Sequence, residues 1–84
     1  MAQMNALSSQ KFALKEHRRW LNSDEAEGKR AEFGPLDLKG IQIGRRSLER
    51  VVFRYCTFDD ASFKQTDISG AEFDSCMFRN ATLM

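Results

Sequence analysis

Between Phe33 and Leu83, every fifth residue is Phe, Leu or Ile. The eleven positions are Phe33, Leu38, Ile43, Leu48, Phe53, Phe58, Phe63, Ile68, Phe73, Phe78 and Leu83. In an α-helix five residues advance about 500°, so this series would spiral around the surface instead of lining one face. In a continuous strand an odd spacing would place successive members on opposite faces. The series therefore predicts short strand segments joined by corners that return each apolar side chain to one interior.

A second series, two residues before the first, supports the same interior. Ten of its eleven members are small or apolar, and Arg46 is the exception. The members are Ala31, Leu36, Ile41, Arg46, Val51, Cys56, Ala61, Thr66, Ala71, Cys76 and Ala81. A buried unpaired charge is costly, so we expect Arg46 to turn outward and to pair with Glu25 or Glu27. The alternative is a local bulge that leaves the Arg46 side chain in water.

The repeated units have a recognisable form. The segments A-E-F-G-P, L-D-L-K-G, A-S-F-K-Q, T-D-I-S-G, A-E-F-D-S and A-T-L-M resemble the A-(D/N)-(L/F)-x-x units of the pentapeptide repeat family, over about two thirds of the chain. The resemblance implies an all-β fold, a right-handed quadrilateral parallel β-helix of about 2.5–3 coils with four pentapeptides in each coil. Residues 31–84 are assigned to this β-helix.

Residues twenty apart should then stack on one another, at the spacing of paired strands. Inside, this predicts one column of Phe33, Phe53 and Phe73, and a second of Leu38, Phe58 and Phe78. Outside, it predicts one charged column of Lys39, Asp59 and Arg79, and a charge pair between Arg54 and Asp74. Cys56 and Cys76 also stack, and we expect two buried thiols rather than a disulfide.

Residues 1–30 form a separate N-terminal segment, with a predicted helix at about 10–21 and a turn after it. One face of this helix, which we expect to cap the repeats, carries Leu7, Leu14, His17 and Leu21. The cations Lys11, Lys15, Arg18 and Arg19 lie mainly on the other side. The alternative is a basic helix that binds a partner or a membrane surface. His17 is predicted to be a packed surface residue rather than a metal ligand. The lead-in W-L-N-S and E-G-K-R-A is similar to that of many bacterial family members, which supports the cap.

Composition narrows the function. The net charge of +1 gives no strong electrostatic case for nucleic acid or an anionic membrane as partner. No apolar run approaches the ~18 residues of a spanning helix, and no secretory signal is evident, so we expect a cytoplasmic protein. Two Cys and one His are too few for a disulfide scaffold or a metal site. No Gly-rich phosphate loop, HExxH or CxxC motif occurs, so we expect neither an enzyme nor a cofactor.

Three function classes remain. The first is a non-catalytic protein-binding or scaffold module with a protein partner. The second, implied by the family resemblance, is a DNA mimic that protects topoisomerase. Such a mimic needs a strongly acidic rod, whereas residues 31–84 carry eight acidic and seven basic side chains. The third, also found in the family, is a secreted effector or host-interaction module.

Two surfaces are candidate contact sites. A basic patch comprises Arg45, Arg46, Arg50 and Arg54, for which a solvated basic face is the alternative. A self-association edge on the last coil comprises Ile68, Phe73, Met77, Phe78 and Leu83. An uncovered coil presents unpaired backbone groups and an apolar face, so we expect a homodimer or a larger assembly through this edge. The alternative is that the chain is a piece of a longer solenoid.

Overall fold

The computed structural model describes residues 10–83, which form one α-helix and one three-stranded parallel sheet. The helix α1 spans Lys11–Asn22, and the strands are β1 Glu32–Phe33, β2 Val52–Arg54 and β3 Glu72–Asp74, in the order β1-β2-β3. The predicted helix at about 10–21 agrees with α1 to within one residue at each end. Residues 1–9 of the predicted N-terminal segment and the last residue of the chain lie outside the described residues.

The parallel pairs all join residues twenty positions apart. Phe53 lies opposite Phe33 on one side and Phe73 on the other. Isolated bridges continue this register along the chain, as in Asp37–Thr57, Gln42–Ser62, Ser47–Asp67, Thr57–Met77 and Ser62–Thr82. Residues 31–50, 51–70 and 71–83 therefore form three successive layers, here called the first, second and third layers. The prediction that residues stack at this spacing is confirmed.

Corners recur every five residues, and each contains one residue with a positive φ. From residue 50 onward these are Arg50, Tyr55, Asp60, Gln65, Gly70, Ser75 and Asn80. At many of them an amide donates to the carbonyl three residues earlier, as from Ala61 to Phe58 at 3.0 Å and from Ala71 to Ile68 at 3.0 Å. A positive φ at the third of four turn residues is the geometry of a type II turn. These turns redirect the chain so that the apolar series keeps facing inward.

The interior is built from the two apolar series. Its fully buried large side chains are Phe53, Phe58, Phe63, Leu38, Leu48, Val51 and Cys56. The rings of Phe53 and Phe73 stack with centroids 5.4 Å apart and planes 7° apart, and those of Phe58 and Phe78 do so at 5.2 Å and 6°. Phe33 joins the first of these columns at 5.5 Å, with its ring tilted by 42° from that of Phe53. The predicted aromatic columns are therefore present, with offset and edge contacts that favour aromatic packing.

Two of the predicted surface contacts between layers are confirmed, whereas Lys39 forms no ion pair within residues 10–83. The guanidinium of Arg79 lies 3.4 Å from the Asp59 carboxylate, and Arg54 lies 3.8 Å from Asp74. Arg54 also pairs with Glu32, at 3.0 Å. Each pair has at least one exposed member and adds little to stability, but together they favour the twenty-residue register.

The predicted pairing of Arg46 is wrong, although its side chain is exposed as expected. Glu25 pairs instead with Arg50. The reason lies in Trp20: the Arg50 guanidinium lies 4.5 Å from its ring centroid, and the Trp20 carbonyl accepts the Glu25 amide at 2.8 Å. Arg50 is thus directed to the turn that carries Glu25.

The bulge alternative at Arg46 is also wrong. The Arg46 carbonyl accepts the Asp67 amide at 3.0 Å, so the ladder continues through this position. Glu27, the other predicted partner, lies 3.6 Å from Arg19.

Both cysteines are free, as predicted, but only Cys56 is buried. Cys76 is half-buried because no further layer of the described chain covers it.

Candidate functional site

The C-terminal edge, residues 68–83, carries backbone donors with no partner in the described chain. In the second layer, the amides of Tyr55, Phe58 and Asp60 donate to third-layer carbonyls over 2.9, 2.7 and 2.8 Å. The residues twenty positions later are Ser75, Phe78 and Asn80, and within residues 10–83 their amides meet no acceptor. An edge of this kind is a template for pairing with another chain.

The same edge carries backbone acceptors. The second-layer carbonyls of Val51, Cys56 and Ala61 accept third-layer amides over 2.9, 3.0 and 2.9 Å. Their counterparts Ala71, Cys76 and Ala81 accept no amide from the part of the chain that is described. Donors and acceptors therefore alternate along one edge, which can pair with a copy of itself.

The side chains of the C-terminal edge are apolar and partly exposed. Ile68, Phe73 and Phe78 pack against the core but are only half-buried. Met77 is 44% exposed and Leu83 is 55% exposed, so the apolar surface extends outward from the interior. All five predicted self-association residues therefore lie on this edge with accessible surface.

The four arginines of the predicted contact patch have different neighbours. Arg54 lies between two carboxylates, and Arg45 donates from Nε to the Gln65 side-chain oxygen at 3.1 Å. Arg50 pairs with Glu25, and its guanidinium lies over Trp20. Only Arg46 and Arg50 lie beside the helix, where they line a cleft. Two of the four predicted patch residues, Arg46 and Arg50, therefore lie in a cleft that residues of α1 also line.

His17 joins α1 to the first layer. Its side chain is buried; Nδ1 accepts the Ala31 amide at 2.9 Å, and Nε2 lies 2.6 Å from the Glu49 carbonyl oxygen. An amide can only donate and a carbonyl can only accept, so the proton is on Nε2 and the imidazole is neutral. The prediction of a surface residue is wrong, because α1 turns this face onto the repeats. The placement of His17 on the apolar face of the helix with Leu14 agrees with this burial.

The cleft between α1 and the first layer has a volume of about 580 Å³. It is lined by residues of both elements, namely Lys11, Leu14, Lys15, His17, Arg18, Leu21, Asn22, Arg46, Ser47, Glu49 and Arg50. This volume falls within the range of ligand pockets in proteins. Sequence reasoning placed the helix cations and the arginine patch on separate features, since their approach depends on how the helix docks.

Two titratable groups of the repeats have shifted pKa values. Burial is the main cause that raises the pKa of the Cys56 thiol. Hydrogen bonds from the Ser69 hydroxyl and amide lower the pKa of Asp67, whose carboxylate Oδ1 lies 2.6 and 2.9 Å from these donors. Both causes are local features of the repeat, a buried interior position and a turn carboxylate that accepts from its own corner.

Residues 10–83 contain neither a candidate metal-binding cluster nor a candidate membrane-spanning helix. No three His, Cys, Asp or Glu side chains among them are grouped so that they could hold a metal ion. No helix of the described chain has the length and apolar character needed to cross a membrane.

The repeats are similar to a known protein family. The family model for pentapeptide repeats matches residues 47–83, in eight copies. No curated protein and no solved structure matches the chain at the significance level applied. The matched segment includes β2, β3 and the whole C-terminal edge.

Proposed function

Residues 47–83 of this chain belong to the pentapeptide repeat family, and we propose that the protein is a non-catalytic protein-interaction module that self-associates. The observation that carries the proposal is the C-terminal edge, which combines backbone groups that have no partner within residues 10–83 with exposed Met77 and Leu83. A second copy supplies the same edge. A two-fold interface requires a self-complementary surface, and the alternation of donors and acceptors provides one.

We also propose the path that the chain follows through the repeats. A twenty-residue register with a corner every five residues supports four sides in each coil, and the family resemblance supports a right-handed path. The chain is then a quadrilateral β-helix of about 2.5–3 coils with α1 as its cap. Such a solenoid presents flat, rigid faces, which suits a scaffold rather than catalysis.

The setting proposed for this module is the bacterial cytoplasm. The lead-in before the repeats, which is similar to that of bacterial members, supports the bacterial origin, and free Cys56 and Cys76 suit a reducing compartment. The DNA-mimic alternative is not supported, since basic and acidic side chains alternate on the repeats in pairs such as Arg79–Asp59. No specific observation favours the secreted-effector alternative.

Sedimentation velocity from about 1 µM to about 500 µM protein tests self-association, since a dimer is favoured by mass action. We expect the weight-average sedimentation coefficient to rise to that of a dimer. Met77→Lys should keep the protein monomeric, because it places a charge on the apolar edge. Thr57→Lys is the matched control, since Thr57 lies directly opposite Met77 one layer earlier. A wild-type protein that stays monomeric throughout would refute self-association.

A further inference from the structure

Positive charge is concentrated in the cleft between α1 and the first layer. Five cationic side chains line it, namely Lys11, Lys15, Arg18, Arg46 and Arg50, against the one carboxylate of Glu49. The lining therefore carries a formal charge of 5 − 1 = +4. The whole chain carries only +1, which leaves +1 − 4 = −3 for all other residues. The cleft is thus strongly basic on a chain that is otherwise acidic.

Most of these cations form no ion pair with another described residue. Within residues 10–83, Arg50 is the one cation of the cleft that forms an ion pair, with Glu25. Outside the cleft, the arginines at positions 19, 30, 54 and 79 pair with carboxylates. Within residues 10–83, Arg45 and the lysines at positions 29, 39 and 64 form no ion pair, but these four are not lining residues of the cleft. The cleft is therefore distinguished by gathering in one place four cations that form no ion pair within residues 10–83, namely Lys11, Lys15, Arg18 and Arg46.

The cleft also offers a backbone donor and an apolar floor. One layer later, the Asp67 amide donates to the Arg46 carbonyl at 3.0 Å, whereas the Ser47 amide in the first layer has no acceptor within the described residues. Ser47 lines the cleft, so this donor lies among the cations. Leu14 and Leu21 contribute half-buried apolar surface. A ligand that matches these features has several negative charges and an apolar group.

We propose that this cleft binds an acidic peptide segment of a partner protein, with carboxylates on the cations and an apolar side chain on the floor. The cations from Lys11 to Arg18 extend along about 10 Å of helix, farther than one small inorganic anion reaches. Carboxylates spaced along an extended peptide match that distance. The inference rests on the proposed interaction function and names the chemistry of one partner segment. It uses the first layer rather than the C-terminal edge.

The test is fluorescence polarisation with a fluorescein-labelled synthetic peptide of sequence Glu-Leu-Glu-Glu-Leu-Glu and the full chain. The variant Lys15→Gln/Arg46→Gln removes two exposed cleft cations that have no ion pair in the described chain. Lys39→Gln/Lys64→Gln is the matched control, since it removes the same charge from exposed positions outside the cleft. Thermal melts of both variants establish that they are folded.

We expect the cleft variant to weaken peptide binding roughly fivefold to tenfold, and the control variant to change it by less than about twofold. A peptide with Gln in place of Glu should not bind, and added salt should weaken the acidic peptide. Equal losses in the two variants, equal binding of the Gln peptide, displacement by inorganic phosphate at matched ionic strength, or no binding would each overturn the proposal. Sedimentation of the cleft variant tests self-association separately, because the cleft does not include the C-terminal edge. The variant should form dimers as the wild type does, whether or not the cleft binds the peptide.

Discussion

Nε2 of His17 lies 2.6 Å from the carbonyl oxygen of Glu49, and this hydrogen bond joins the helix to a corner of the first layer. The other ring nitrogen accepts the amide of Ala31, the residue at which the repeats begin. One neutral imidazole thus satisfies a donor and an acceptor that the first layer would otherwise leave unpaired. The helix cap is attached by specific polar contacts as well as by apolar packing.

Replacement of His17 should therefore be costly. We expect His17→Ala to lower the free energy of unfolding by about 2–4 kcal/mol, because it leaves the Ala31 amide and the Glu49 carbonyl unsatisfied and opens a cavity. Urea unfolding measures this difference. Arg18→Ala, on the exposed face of the same helix, should change it by less than about 0.5 kcal/mol. Equal effects of the two substitutions would contradict the role of His17.

The repeat interior could be predicted from the sequence because few structures accept a five-residue period. Phe53 and Phe58 could be placed inside, and Arg54 opposite Asp74, by counting alone. Contacts between α1 and the repeats could not, since they depend on the angle at which the helix docks. Arg50 rather than Arg46 pairs with Glu25 for this reason, because the ring of Trp20 directs the guanidinium.

Gly34 lies where the backbone passes closest to the next layer. A Cβ atom at this position would lie only 1.8 Å from the carbonyl oxygen of Arg54, and its φ is 148°. We expect Gly34→Ala to lower the free energy of unfolding by at least about 3 kcal/mol, because backbone must move. Gly40 is the matched control, with a φ of 72° and open space around its Cβ position. Gly40→Ala should cost only about 1 kcal/mol, for the left-handed conformation alone, in the same urea experiment. Similar costs at the two positions would refute the steric argument.

Tyr55 occupies a corner that disfavours its side chain. Its φ is 59° and its side chain is 63% exposed, so it has backbone strain with little burial in return. We expect Tyr55→Asn to raise the free energy of unfolding by about 0.5–1 kcal/mol, since Asn tolerates this conformation. Tyr55→Phe keeps the strain and should leave stability nearly unchanged. Thermal unfolding of the three proteins decides the matter, and a less stable Asn variant would show that the ring makes a needed contact.

The candidate sites were partly accessible to sequence reasoning. The C-terminal edge follows from the repeat itself, because each inward position of the last layer is known once the period is known. The cleft does not, because Lys15 and Arg46 are separated by thirty residues and belong to different elements. Their proximity arises only when the helix packs on the first layer.

The two thiols report on burial and on the C-terminal edge. Burial raises the pKa of Cys56, so its thiolate fraction at a given pH is lower and it should react slowly. Cys76, one layer later, is only half-buried. We expect iodoacetamide at about pH 8 to label Cys76 at least roughly tenfold faster than Cys56, as measured by mass spectrometry of time points.

The dependence of Cys76 labelling on protein concentration distinguishes burial within one copy from burial by a second copy. If two copies meet at the C-terminal edge, the labelling of Cys76 should slow as concentration rises, because the edge becomes covered. Met77→Lys should remove that dependence and leave the slow reaction of Cys56 unchanged. The variants Cys56→Ser and Cys76→Ser each remove one thiol, so the labelling rate of the remaining thiol can be assigned. A Cys76 labelling rate that is independent of concentration, in a protein that sediments as a dimer, would place the interface on another surface.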